Sequence, residues 1–303
     1  ASKREHVPVG LALMEAKQMA LSLFGPTDLA FRNMQRYSLF GDPATRLALP
    51  RYRVQIEVAD SLSALGEVSV SGRILDPAGD FAASYQGQVW LQAFDSSVRS
   101  RLDGFSYQQV GAHMFRGRVA VVDGRFATAF RVPKDITYGG RNGRVSAYAW
   151  SDAQPAAYGS VGGLVLEGTA EGVEADLEGP EIALRFEGAS GNTIPPQTTL
   201  HATITDPSGI NITGETGHAI ELAIDGEVFV LTDFYNSPEG DYRRGAIEFP
   251  LPELEPGAHE VRLKVWDNFN NSSRATVTVK VREGGDSGIA NVLFHPNPMR
   301  DAG

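Results

Sequence analysis

Residues 115–132 read Phe-Arg-Gly-Arg-Val-Ala-Val-Val, Asp-Gly, Arg-Phe-Ala-Thr-Ala-Phe-Arg-Val, and this stretch decides the fold. Polar and apolar positions alternate on both sides of Asp123-Gly124, the period of a strand with one buried face. Asp-Gly is a residue pair that closes a two-residue hairpin, because both positions need positive φ. Working outward, the period of two recurs at Tyr52–Val58, Glu67–Ile74, Gln88–Phe94 and Val145–Trp150. Asp76-Pro77-Ala78-Gly79 and Gly139-Gly140-Arg141-Asn142-Gly143 supply further turns. Short strands with frequent turn chemistry predict a sandwich or barrel.

A Gly- and acid-rich stretch at 167–180 ends in Glu178-Gly179-Pro180 and marks a boundary. The pattern then restarts through Glu181–Phe186, Thr199–Thr205, Ala219–Ile224, Val228–Leu231, Gly245–Phe249, Val261–Trp266 and Thr276–Val281, with Asp225-Gly226 as a second hairpin. The beginning differs. Leu13, Ala16, Ala20 and Leu23 recur at helical spacing up to Gly25-Pro26. Thr27 with Asp28 predicts the cap of a second helix through Phe31, Met34 and Tyr37. The fold class predicted is all-β: two consecutive Ig-like β-sandwich domains (51–175 and 176–283) after a two-helix segment (1–50). A linker and the start of another domain are expected at 284–303.

Composition narrows the function. The 303 residues carry a net charge of -10 and no Cys. Dispersed Lys and Arg in an acidic chain argue against nucleic acid as partner. Zero Cys removes disulfides, thiolate zinc and a cysteine nucleophile from this chain. Val7–Met14 is apolar but Glu15 and Lys17 end it far short of a membrane span. With no leader pattern at Ala1, the chain reads as a fragment.

Several segments together resemble one family. Leu39-Phe40-Gly41-Asp42-Pro43-Ala44-Thr45-Arg46-Leu47 is similar to the end of the gingipain-type cysteine peptidase domain. Pro50-Arg51-Tyr52-Arg53-Val54 resembles the exit from that domain into the β domains of the type IX secretion system sortase. Val132–Ile136, Asp206–Asn211, Gly217–Ile220 and Val265–Ser272 resemble the same proteins in order, and Asn291–Pro298 resembles the opening of a further C-terminal domain. The resemblance implies a bacterial surface or outer-membrane-associated cysteine endopeptidase as parent, in which 1–50 is the remnant of the peptidase domain. The family's catalytic Cys and His lie upstream of the Gly-Asp-Pro-Ala segment, so the resemblance assigns no catalytic residue here. It implies accessory β domains that support the catalytic domain of the same chain and space or contact secreted cargo. The alternative from another class is a surface adhesin or carbohydrate-binding module.

Two constellations merit testing. The loops at one end of the second sandwich are expected to gather Asp206, Asp267, Asn268 and Asn270, with Asp176 from the entering linker. Such converging oxygens suit calcium, which takes roughly 6–8 oxygen ligands; the alternative is that Asp and Asn simply make these turns. Trp90, Trp150 and Trp266 lie on strand faces opposite apolar neighbours, so they pack between domains or form a platform for cargo or a surface glycan. The six histidines show no metal-ligand spacing. His201 and His259 read as strand positions and His218 as a turn. Gly159-Ser160-Val161-Gly162-Gly163 lacks the helix a phosphate loop needs.

Overall fold

The computed structural model describes residues 7–47, 49–215, 217–238 and 240–282. The expected linker at 284–303 and the Asn291–Pro298 motif lie outside them. The described chain divides into a helical unit up to Arg51 and a β unit from Tyr52.

In the helical unit, α1 (Val9–Phe24) ends at Gly25, whose positive φ of 67° takes the chain out of the helix and suits a residue without Cβ. Helix α2 (Asp28–Arg36) is capped by Thr27, whose Oγ1 accepts from the Ala30 amide at 3.2 Å. The cap and breaker residues act where the sequence places them. No residue of α1 is buried, and only Ala30 of α2 is.

The first sandwich contains β1 (Tyr52–Glu57), β2 (Ser61–Ala64), β3 (Glu67–Leu75), β4 (Gly87–Phe94), β5 (Val98–Leu102), β6 (Phe105–Gln109), β7 (His113–Val121), β8 (Arg125–Arg131), β9 (Gly140–Trp150) and β10 (Ala157–Thr169). Its main sheet is one continuous path, β7-β4-β9-β10-β1-β3-β8, with β2 pairing β10. The Asp123-Gly124 hairpin joins the two ends of that path, with Val122 bridging Arg125. The sheet therefore folds back on itself around a core that includes Leu91, Phe130, Val145 and Leu166. Strand β10 makes the fold-back: its start runs parallel to β1 and its end parallel to β2, with register shifts after Gly162 and Leu164. The Gly159 backbone lies so near β1 that a Cβ there would sit 1.9 Å from the Val54 carbonyl oxygen. Strands β5 and β6 form a separate two-stranded ribbon on an Asp103-Gly104 turn.

The second sandwich contains β11 (Glu181–Phe186), β12 (Thr193–Ile194), β13 (Thr199–Thr205), β14 (Glu221–Ile224), β15 (Glu227–Val230), β16 (Tyr235–Asn236), β17 (Arg244–Pro250), β18 (Gly257–Trp266) and β19 (Ser272–Val281). Sheet β11-β13-β17-β16 packs on sheet β12-β19-β18-β14-β15. Leu200, Ile204, Leu222, Leu263 and Val265 fill the space between them without exposure. The all-β fold with Ig-like sandwiches after two helices is the one the alternation predicts.

Candidate metal centre at the sandwich junction

Three of the five expected metal ligands converge. The oxygens of Asp176, Asp206 and Asp267 lie within 4.8 Å of one another. Asp176 comes from the segment entering the second sandwich, Asp206 follows β13, and Asp267 follows β18. Asn271 ties this end together: its Nδ2 donates to the Asp176 carbonyl at 3.0 Å and to Asp267 Oδ2 at 2.7 Å. The amides of Phe269 and Asn271 donate to Asp267 Oδ1 at 2.9 and 2.7 Å. Ser208 donates its amide to Asp206 Oδ1 at 2.7 Å and its hydroxyl to Asp176 Oδ2.

Asp206 and Asp267 are 4% and 0% exposed, and none of the three is ion-paired to Lys, Arg or His among the described residues. Burial pushes the Asp206 carboxyl up to about 7, and the neighbouring Asp267 and Asp176 charges push the same way. Burial raises Asp267 too. Buried like charges without a counter-charge favour protonation or a bound cation. Asp176, Asp206 and Asp267 are the residues that would hold a calcium ion, a hard cation that prefers such oxygens.

Asn268 stays beside the carboxylates and Asn270 turns away from them. Asn268 donates its Nδ2 to the Ser208 carbonyl at 3.0 Å and to the Arg131 carbonyl of the first sandwich at 3.4 Å. Asn270, at φ 73°, donates to Asp135 Oδ1 at 2.7 Å and accepts from Asn211 Nδ2 at 3.1 Å. Asn270 therefore belongs to a second cluster that sequence reasoning did not find, whereas Asn268 links the carboxylate loop to the first sandwich and keeps its buried Oδ1 without a partner among the described residues.

That cluster is centred on Asp135, in the loop after β8. Its carboxylate accepts from Asn270, from Asn211 at 3.0 Å, and pairs with His218 Nδ1. The His218 ring meets Trp266 edge-on at 4.5 Å, and Lys264 Nζ lies 4.2 Å from the Trp266 centroid. The Lys134 amide donates to the Asn268 carbonyl at 2.9 Å. Nothing in the spacing of Pro133-Lys134-Asp135 announces a partner some 80 residues away. Trp266 thus stands at the junction, whereas Trp90 and Trp150 share the outer face of the first sandwich.

A second set of contacts joins the sandwiches. Arg116 is buried and donates from Nε to the Tyr235 carbonyl at 3.0 Å and from Nη2 to the Thr232 carbonyl at 2.7 Å. Gly117 bridges Ser237 in parallel, with the Arg118 amide donating to the Ser237 carbonyl at 2.9 Å. Tyr242 inserts into the core of the first sandwich and donates to Glu67 Oε2 at 2.6 Å. Gly209, at φ 85°, is required here, because a Cβ would lie 2.4 Å from the Tyr242 ring.

No protein-family model matches the chain. No curated protein matches it either. Among solved structures, the chain is 30% identical to dimeric latent PorU from Porphyromonas gingivalis over 91% of its own length, with a TM-score of 0.47. It is also similar to fibronectin(III)-like modules of CbhA from Clostridium thermocellum, at 10% identity over 75% of this chain and 94% of that one, TM-score 0.22. A tetra-tandem repeat from the extending region of a large adhesion protein matches at 15% identity over 78% of this chain and 51% of that one, TM-score 0.25. This chain spans 28% of the PorU chain. Over that span, its sequence is PorU-like.

Proposed function

We propose that this chain is the non-catalytic, accessory β part of a sortase-like surface peptidase of the gingipain type, working outside the cell. In this reading the sandwiches form a rigid strut and the helix pair seats against a catalytic domain upstream. The observation that carries it is the unsatisfied helix pair. Leu11, Met14, Met19, Leu23, Phe24 and Leu29 are exposed, which is unusual for an amphipathic pair serving only itself. A groove of ≈ 660 Å³ between the helices is lined by Leu13, Ala16, Ala20, Leu29, Met34 and Tyr37. The Gly41-Asp42-Pro43-Ala44 segment that follows and the identity with PorU support the same reading. No helix among the described residues is long and apolar enough to cross a membrane.

The test is the gene around this chain. A frame continuing upstream with a His and a Cys in an α/β peptidase pattern is the expected outcome. A signal peptide directly before Ala1 would leave a stand-alone β protein and favour the adhesin reading.

A further inference from the structure

One outer face of the first sandwich has a chemistry the strut role does not use. Pairing registers place Arg118, Trp90, Tyr148, Tyr158 and Arg53 in one row across β7, β4, β9, β10 and β1. Neighbouring strands lie about 4.8 Å apart, so the three aromatic rings in that row span about 10 Å. Trp150 occupies the next outward position of β9, its ring stacked on Tyr148 with centroids 6.4 Å apart and planes at 25°. Tyr148 and Tyr158 are 40% and 48% exposed. Strands β4, β7 and β9 contain no Asp or Glu, in a chain of net charge -10.

The aromatic row opens at Trp150 into a cavity of ≈ 750 Å³ lined by Ser84, Gln86, Gln88, Asp152 and Gln154. Gln88 stands directly opposite Trp150 and is exposed, with no protein partner for its amide among the described residues. Gln154 gives Nε2 to Ser84 at 3.1 Å and leaves Oε1, a buried acceptor in the same wall, without a partner among the described residues. A site for an apolar peptide would offer greasy walls and few amides. This one offers ring faces in a row, amides that both donate and accept, and an arginine at each end.

We infer that this face is a binding site for a glycan chain, with pyranose rings lying on Trp90, Tyr148, Tyr158 and Trp150 and hydroxyls bonded to Gln88. The C–H side of a pyranose ring complements the negative face of an aromatic ring. Its hydroxyls match an amide that offers both a donor and an acceptor. A few placed polar groups on an aromatic surface is how small-molecule sites combine affinity with orientation. The arginines at the ends tolerate acidic substituents on the sugar. The inference is independent of the accessory-domain reading, since the face belongs to the first sandwich whatever lies upstream.

The test titrates the 303-residue chain, by calorimetry and tryptophan fluorescence, with hexasaccharides of β-linked glucose, β-linked N-acetylglucosamine and α-linked mannose. Saturable binding of at least one is expected, weakened about tenfold or more in Trp150→Ala and in Tyr148→Ala and about fivefold in Gln88→Ala. Tyr148 and Gln88 are exposed, so those variants keep the fold even if Trp150→Ala does not. Trp266→Ala, away from the face, should bind as the parent does. Absence of binding to all three at millimolar concentration overturns the proposal, and so does binding that Tyr148→Ala and Gln88→Ala leave unchanged.

Discussion

The helix pair and the two sandwiches obey the same rule of periodicity and meet different ends. In α1 the apolar residues recur at helical spacing, yet none of its 16 residues is buried. In the sandwiches the period-two residues end at zero exposure, among them Leu91, Phe130, Ile204 and Leu263. Spacing states which face seeks cover; it does not state what covers it. A strand finds its cover within the same domain, because a sheet must pack on another layer. A helix pair has no such guarantee. The contrast becomes measurable when each region is weakened in turn.

The largest effect is expected in the first core. Phe130 is fully buried and stacks on Phe115, with ring centroids 5.6 Å apart. Phe130→Ala should cost about 3–5 kcal/mol in a urea melt, through lost burial and the cavity left behind. A loss below about 1 kcal/mol would mean the fold-back sheet does not enclose a packed core.

The junction comes next. Arg116→Ala removes a buried guanidinium and its hydrogen bonds to the Tyr235 and Thr232 carbonyls, which should cost about 1–3 kcal/mol. Asp135→Ala strands the Asn270 amide and the His218 ring and takes from Asn211 one of its two acceptors. Either variant should split one calorimetric transition into two, one for each sandwich. A parent protein that already melts in two steps would break the strut reading.

How much of this was legible follows from where the signals lie. Thr27, Gly25 and the Asp-Gly turns at 123 and 225 act through their own backbone, so the sequence announces them. The third such turn, Asp103-Gly104, carries the same positive φ pair and passes unread because Val98–Leu102 and Phe105–Gln109 are short and barely alternate. Strand β10 hides for a different reason. Its Gly159, Gly162 and Gly163 look like a loop, but they let it bend between layers and approach β1. In the candidate metal centre, Asp206 and Asp267 can be placed from topology, since loops after known strands meet at one end. Asp135, Asn211 and His218 cannot, because their meeting depends on the angle between two domains.

Calcium should produce an intermediate effect that depends on pH. The Asp206 carboxyl is raised from 3.8 to about 7, so the folded protein holds a proton that the unfolded chain releases above about 4. Its contribution to stability is complete below about 4 and is lost as pH rises through about 7. A cation competes with that proton, so calcium stabilises more at pH 8 than at pH 5.5. At a hundred times its dissociation constant, a bound ion adds about 2.7 kcal/mol, or several degrees in Tm at this chain length. An identical melt with millimolar calcium and with chelator at pH 8 would remove calcium from the Asp176, Asp206 and Asp267 cluster and leave protonation as its resolution.

The smallest effect is expected in the helices, and its smallness carries information. Leu23 and Phe24 are each 70% exposed. In the chain as it stands, Leu23→Ser and Phe24→Ser remove no buried contact and should shift stability by less than about 0.5 kcal/mol. The same changes should reduce binding of a hydrophobic dye, since the exposed apolar surface shrinks. If either substitution instead costs as much as Phe130→Ala, the helices are already covered in solution. A melt that depends on protein concentration would then name a second copy of the chain as that cover. A melt independent of concentration, with dye binding lowered and stability unchanged, leaves the apolar side of α1 and α2 free for the proposed upstream domain, the cover that helical spacing and exposure together call for.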